Sequence, residues 1–489
     1  MDASARPVED FMNFVNASPT PFHAVRSAKQ RLEKAGFSHV AEHDDWAETC
    51  KPGGKYYLTR NGSTIVAFAV GKKWKPGNSI AMIGAHTDSC CLRIKPISKR
   101  QNEGFLQVGV ETYGGGMWHT WFDRDLSIAG RAMVKTSDGK IEAKLVKVDR
   151  PLMRIPTLAV HFGREKSFSF DKETHLFPIA GLVEAELNRQ GKSHSGNGIS
   201  TPATESSRTE NSPFHPLKTP LERHHPYIVE IIAAEAGCSA EDILDFEMVL
   251  YDTQPSCIGG LNNELIFSAR LDNLGMTYCA VQGIIESCSS PSSLDNESTI
   301  RLIACFDDEE IGSVTAQGAE SNLIPSMVTR LSILPGEKGV SVSSAYDQSL
   351  STSFLISADM AHSVNPNYAG NYESQHRPIM NGGPVIKINA NARYTTNSPG
   401  IVLLQELARK KSIPLQLFVV TNESSCGSTI GPGLAAKLGT RALDLGNPQL
   451  SMHSIRETGG VYDVEYGIKL FESFFENYSE MGSKILVDV

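Results

Sequence analysis

Val8, Phe11, Met12 and Val15 recur at three- and four-residue steps, the spacing of one helix face, and Ser18-Pro19-Thr20-Pro21 stops that pattern. A second helical pattern runs over 24–32. Apolar, β-branched runs at 63–70 and 80–83 predict strands. From about residue 92 to 257 the chain changes character and is richer in glycine and aromatics, as in Tyr113-Gly-Gly-Gly-Met-Trp-His119. Within that stretch, 190–224 is rich in Ser, Thr, Pro, Asn and His without periodicity, which predicts a disordered surface loop; its histidines form a weaker case for a metal tract. Strand-like runs return at 302–306, 353–356, 417–420 and 442–445, with helical patterns between them such as 401–411. Strand and helix alternation of this kind predicts an α/β fold, a mixed and largely parallel sheet covered by helices. In such folds ligands collect beyond the carboxyl ends of strands.

Length changes the picture by dividing it. A chain of 489 residues is too long for one simple core, and the change of character predicts one domain inserted into another. The net charge of −9, with no basic block, argues against nucleic acid and anionic membranes as partners, and no apolar run is long enough to span a bilayer. Met1-Asp-Ala-Ser-Ala-Arg-Pro7 lacks the basic-then-apolar pattern of a signal peptide. Nine scattered cysteines, with no Cys-x-x-Cys and an unfavourable adjacent pair Cys90-Cys91, suit a reducing compartment; a cytoplasmic protein is expected.

The chemistry starts at Arg301-Leu-Ile-Ala-Cys-Phe-Asp-Asp-Glu-Glu-Ile-Gly-Ser313, a buried-strand pattern ending in four acids. Burying part of such a cluster is costly without a counter-charge, and a divalent metal supplies one. One glutamate can then ligate while its neighbour moves a proton. Gly84-Ala-His86-Thr-Asp88 puts a histidine at a strand end with an acid two residues on, placed to take the ring's other N–H; alone, a surface His beside a capping Asp is as good a reading. Asp272, in Arg270-Leu-Asp-Asn273, can bridge two ions with its two oxygens, but by itself it reads better as a helix cap before Leu274. Asp359 ends a further apolar run, and His362 three residues later faces a pocket or caps a turn. His453 taken singly reads as a structural histidine. As a set, these residues suit a pair of divalent ions. Asp272 would be shared, His86 and Asp359 would serve one ion, Glu310 and His453 the other, with Glu309 as base for a bridging water. Lys387 and Tyr394, near the end of another apolar run, are weaker candidates for holding a substrate carboxylate.

These segments also resemble the aspartyl aminopeptidases, a branch of the two-zinc exopeptidases. The resemblance covers nearly the whole chain in order. It runs through Ser18-Pro-Thr-Pro-Phe-His-Ala-Val25, Gly84-Ala-His-Thr-Asp88, Gly114-Gly-Gly-Met-Trp-His-Thr-Trp-Phe-Asp-Arg-Asp-Leu126 and Arg270-Leu-Asp-Asn273. It continues in Glu309-Glu310, Ile356-Ser-Ala-Asp-Met-Ala-His362, Gly383-Pro-Val-Ile-Lys387 and Met452-His-Ser-Ile-Arg456. It implies metal ligation by His86, Asp272, Glu310, Asp359 and His453, with Glu309 as general base and Asp88 orienting His86. It also implies a substrate pocket lined by Glu309, Asp359, His362, Lys387 and Tyr394, with Lys387 reading an acidic side chain. His161 resembles a histidine presented to a neighbouring subunit's active site. The implied architecture is a catalytic domain, 1–92 and 257–489, split by a β-rich dimerisation domain, 93–256. The implied cofactors are two divalent ions per subunit, zinc first, with manganese or cobalt also suited to such ligands. The implied partners are peptides with an acidic N-terminal residue and further copies of the chain, assembled as dimers into a dodecamer. Two departures stand out: the length of 190–224 and the variant segment Glu457-Thr-Gly-Gly-Val-Tyr-Asp463. Three alternatives share the core: a neutral, broad-specificity aminopeptidase of a vacuolar branch that carries a cleaved leader, a deacylase or carboxypeptidase, and a non-catalytic shell.

Overall fold

The computed structural model describes residues 5–163, 168–193, 217–335 and 341–487. The chain divides into two compact units, one formed by Met1–Cys90, Gly114–Gly116 and Pro255–Val489, the other by Cys91–Tyr113 and Met117–Gln254.

The first unit is built on a nine-stranded sheet. Its order is Ser38–His39, Lys55–Arg60, Thr64–Val70, Ile300–Phe306, Ile80–His86, Phe354–Ala358, Arg441–Gly446, Val385–Lys387 and Gln416–Phe418. The central strands Ile300–Phe306, Ile80–His86, Phe354–Ala358 and Arg441–Gly446 run parallel to one another, while antiparallel pairings flank them. Thr64–Val70, Ile80–His86 and Ile300–Phe306 are buried at every position. Their side chains divide between two cores because successive residues of a strand face opposite ways. Ile65, Ala67, Ala81, Ile83, Ile303 and Cys305 join one core with the helices Ala5–Ala17, Pro21–Lys34, Leu271–Ser287 and Val461–Met481. Val66, Phe68, Ile80, Met82, Leu302 and Ala304 join the other with Leu323–Leu331 and Ile430–Leu438. The result is a helix–sheet–helix sandwich. Thr20 and Pro21 stop one helix and start the next, the Thr20 hydroxyl accepting from the His23 amide at 3.3 Å. A smaller five-stranded sheet runs Cys257–Gly259, Leu265–Ser268, Glu457–Gly460, Pro448–Leu450, Ala361–His362.

The second unit holds a six-stranded sheet, ordered Ile141–Lys147, Leu126–Lys135, Ile243–Asp252, Cys91–Asn102, Phe105–Tyr113, Ile179–Leu182, with every pairing antiparallel. The flanks of the predicted 190–224 loop are structured. Helix Val183–Ser193 reaches into it, and Pro220–Arg223 forms a helical turn followed by a buried His224. Composition reads polarity as exposure, but here the polar groups find partners. Glu222 accepts from the Thr219 amide at 2.8 Å, Arg223 meets Asp245 at 3.1 Å, and His224 Nδ1 lies 2.8 Å from the Ser98 hydroxyl. The rest of that prediction, 194–216, lies outside the described residues.

Candidate metal centre and active site

The parallel strands deliver their residues to one place. His86 is the last residue of Ile80–His86 and pairs in register with Phe306, so the acids at 307–310 emerge beside it. Asp359 follows Phe354–Ala358, the neighbour on the other side. Asp272 stands in the first turn of Leu271–Ser287 with non-helical backbone angles; the N-cap position is Arg270, not Asp272, and Asp272 Oδ1 is buried without a hydrogen-bond partner. His453 lies in the loop before Glu457–Gly460, with φ of +66°.

Asp272 faces both histidines. Its Oδ1 is 3.5 Å from His86 Nε2 and its Oδ2 is 3.3 Å from His453 Nε2. Asp359 Oδ1 is 3.5 Å and Glu309 Oε2 3.7 Å from His86 Nε2, while Glu310 Oε2 is 3.2 Å from His453 Nε2. Each ring is oriented from behind. His86 Nδ1 lies 3.2 Å from Asp88 Oδ1, and His453 Nδ1 lies 3.2 Å from the Gly115 carbonyl. Asp88 also accepts from the amides of Glu309 and Glu310, at 3.2 and 3.0 Å, so one buried carboxylate ties the histidine strand to the acidic turn.

This donor set fits divalent cations. Two ligands about 2.1 Å from a tetrahedral zinc stand about 3.4 Å apart. The Nε2-to-oxygen separations to Asp272, Asp359 and Glu310 fall between 3.2 and 3.5 Å. Asp272 Oδ1, Asp359 Oδ1 and Glu310 Oε1 are buried and have no hydrogen-bond partner, an expense that a cation removes. The titration behaviour agrees. Despite the cost of burial, the facing His453 and His86 imidazoles hold Asp272 well below the usual carboxylate range. Burial opposes a charge on His86, yet Glu309, Asp272, Asp359 and Asp88 raise it well above an ordinary imidazole. His453 is pushed up to about 12, first by its bond to Asp272. Both shifts report the same demand of the surrounding carboxylates for positive charge at this spot. Burial lifts Glu309 to about 8, with Asp359, Glu310 and Asp88 adding to the effect and His86 opposing it; burial, then Asp272, lifts Glu310 to about 7.

Lys387, the buried last residue of Val385–Lys387, donates to Asp359 Oδ2 at 3.3 Å and to the Met360 carbonyl at 3.2 Å. Its Nζ sits 5.2 Å from the centre of the Tyr394 ring. His362 belongs to the strand Ala361–His362 and borders a cavity of about 360 Å³ that Asn365, Tyr368, Tyr372, Phe418 and Ser424 also line. Burial, then Lys387, depresses the His362 pKa. His161 belongs to the second unit, where it lies exposed in a turn with exposed Leu158, Val160 and Phe162 around it.

Two residues escaped the sequence reading. Glu457 is buried and accepts from the amides of Asp272 and His453 at 3.1 and 3.0 Å. Cys90 offers its sulfur within 4.8 Å of donor atoms of Glu310 and His453, and burial pushes the thiol up to about 12. Neither stands at the end of an apolar run, the signal that marked the others.

A helix-covered α/β sheet whose strand ends gather two imidazoles and several carboxylates in this way defines a metal-dependent hydrolase. The family model for aminopeptidase I zinc metalloproteases (M18) matches residues 14–475, and the chain belongs to that family. It is 65% identical to an aspartyl aminopeptidase of Aspergillus oryzae over 99% of this chain and 98% of that one. A solved structure of the Ape4 and Nbr1 complex matches with a TM-score of 0.90 at 48% identity, covering 99% of this chain and 88% of that one. The S. cerevisiae mApe1 dodecamer matches with a TM-score of 0.81 at 29% identity, over 98% of each chain.

Proposed function

We propose that this metallo-aminopeptidase removes N-terminal Asp or Glu from peptides, with two divalent ions, zinc by family, held by His86, Asp272, Glu310, Asp359 and His453. The observation that carries the two-ion reading is Asp272, whose two oxygens face two different histidines. When bound, the ions polarise the scissile carbonyl and lower the pKa of the attacking water.

The chain's own residues do the rest. Glu309 takes the proton of the attacking water and hands it to the leaving amine. Its Oε2 lies 3.7 Å from His86 Nε2, beside the ligand set. Asp88 keeps His86 turned toward the site. An ammonium carries three N–H donors; Lys387 spends two on Asp359 and Met360, and the third is assigned to the substrate's side-chain carboxylate. The Tyr394 ring fixes that ammonium from one face, and His362, whose pKa Lys387 helps to depress, is assigned to the same pocket. Acidic preference is further supported by the name of the 65% identical Aspergillus oryzae relative, an aspartyl aminopeptidase. The second unit is assigned to dimerisation, its His161 reaching a neighbouring copy's site, in a homo-oligomer of the kind the S. cerevisiae dodecamer represents. Nine free cysteines suit a cytoplasmic setting.

A panel of Asp-, Glu- and Leu-peptides, free or blocked at the amine, with metal analysis on the same sample, tests this reading. Release from free Asp- and Glu-peptides with two equivalents of metal is expected. Equal turnover of Leu-peptides would leave the neutral alternative standing, and turnover of blocked peptides would make the enzyme a deacylase or carboxypeptidase.

A further inference from the structure

The cluster has a second bracing carboxylate besides Asp88. Glu457 opens the strand Glu457–Gly460, pairs in register with Ser268, and is 2% exposed. Its Oε2 accepts from the Asp272 amide at 3.1 Å. Its Oε1 accepts from the His453 amide at 3.0 Å and from Gln449 Nε2 at 3.3 Å. These are three donors converging on one side chain, the pattern an acceptor-only carboxylate satisfies and an amide cannot.

One of the two tethered residues has a backbone that needs such support. His453 adopts the left-handed region, with Ser451 close by in the same conformation. Non-glycine residues hold that conformation only where the surroundings over-determine it. Asp88 fixes His86 and the Glu309–Glu310 turn, which leaves the bridging aspartate and the second histidine without that anchor.

We propose that Glu457 is a positioning residue that clamps the backbones of Asp272 and His453 and so sets the affinity of the ion site made by Glu310, His453 and the shared Asp272. It touches neither substrate nor metal and acts through the two ligands it tethers. This inference rests on the ligand assignment above. The ion served by His86 and Asp359 loses one supported ligand when Glu457 is removed, and the other ion loses two, so the effect falls unequally.

Glu457→Gln and Glu457→Ala are compared with the parent chain by zinc titration against a chromophoric chelator, with melting of the metal-free proteins alongside. The parent is expected to take two equivalents. In both variants one equivalent should bind about 10- to 100-fold more weakly, the usual cost of removing a residue that orients a ligand, while the other stays within a few-fold. Metal-free Glu457→Gln should melt below the parent, because its amide cannot accept from all three donors; the deciding readout is the inequality between the two equivalents, which a purely structural loss would not produce. Two equivalents bound at parental affinity in Glu457→Gln would overturn the proposal. Equal weakening of both equivalents would also overturn it. A parent chain that takes up one equivalent would overturn the ligand assignment first and this inference with it, a result visible before any variant is measured.

Discussion

At the scale of single residues, the site separates groups that hold charge from groups that move it. Glu309 and Glu310 are neighbours on one turn, yet they face different histidines, at 3.7 and 3.2 Å respectively. Glu309→Gln keeps the size and the amide that Asp88 holds but loses the proton acceptor. Turnover should fall by about 10²- to 10⁴-fold with unchanged zinc content, and a metal-replete variant that still turns over at the parental rate would remove Glu309 from proton transfer. Lys387 balances Asp359 as well as reading substrate in the proposed mechanism, so Lys387→Ala should depress all substrates somewhat. The informative quantity is the ratio of kcat/KM for Asp- over Leu-peptides. It should fall at least about tenfold, as for a lost charge-assisted hydrogen bond; an unchanged ratio would show that the lysine does not choose the side chain. Of these residues, His86, Asp272, Glu310, Asp359 and His453 were legible because each follows an apolar run or a recognisable motif. Glu457 and Cys90 were not, because their partners are backbone amides and side chains distant in sequence.

At the scale of elements, the site depends on how closely strands approach. Gly446 ends the strand Arg441–Gly446, and a Cβ there would come within 1.7 Å of the Asp359 carbonyl. Gly446→Ala should therefore displace Asp359, costing about 1–3 kcal/mol or more of stability and lowering zinc content. A variant with parental melting and metal would show that the loop yields freely. In the second unit, burial depresses His224 to about 4. The unfolded chain, with an imidazole near 6.5, takes up the proton first, so stability should decline as pH falls from about 6.5 to about 4 and be independent of this group above that range. The full effect is about 3 kcal/mol. Urea midpoints for the parent and His224→Gln between pH 7 and pH 4.5 check the sign, because the variant should lose that part of the slope. The helices Ala5–Ala17, Pro21–Lys34 and Ser398–Lys410 and the central strands of the first unit were readable from their spacing. The helical turn Pro220–Arg223 was not, because its residues are as polar as a loop and become buried only through partners such as Asp245 and Pro96.

At the scale of the molecule, the proposed role of His161 belongs to an assembly. His161→Ala should reduce turnover without altering zinc content or the melting of the isolated chain, and activity should fall on dilution to the point where the oligomer dissociates. A fully active monomer would remove the role in trans. Sequence alone determined the α/β class, the family, the five candidate ligands and the acidic turn, because strand and helix periodicities and short motifs are local properties of the chain. Only the tertiary structure decided that Asp272 turns one oxygen to each histidine, that Lys387 spends its charge on Asp359, and that Asp88 and Glu457 each brace part of the cluster. Those are relations among strands brought side by side from positions up to hundreds of residues apart, and hydrogen-bond reach is set by distance in space, which no spacing along the chain encodes.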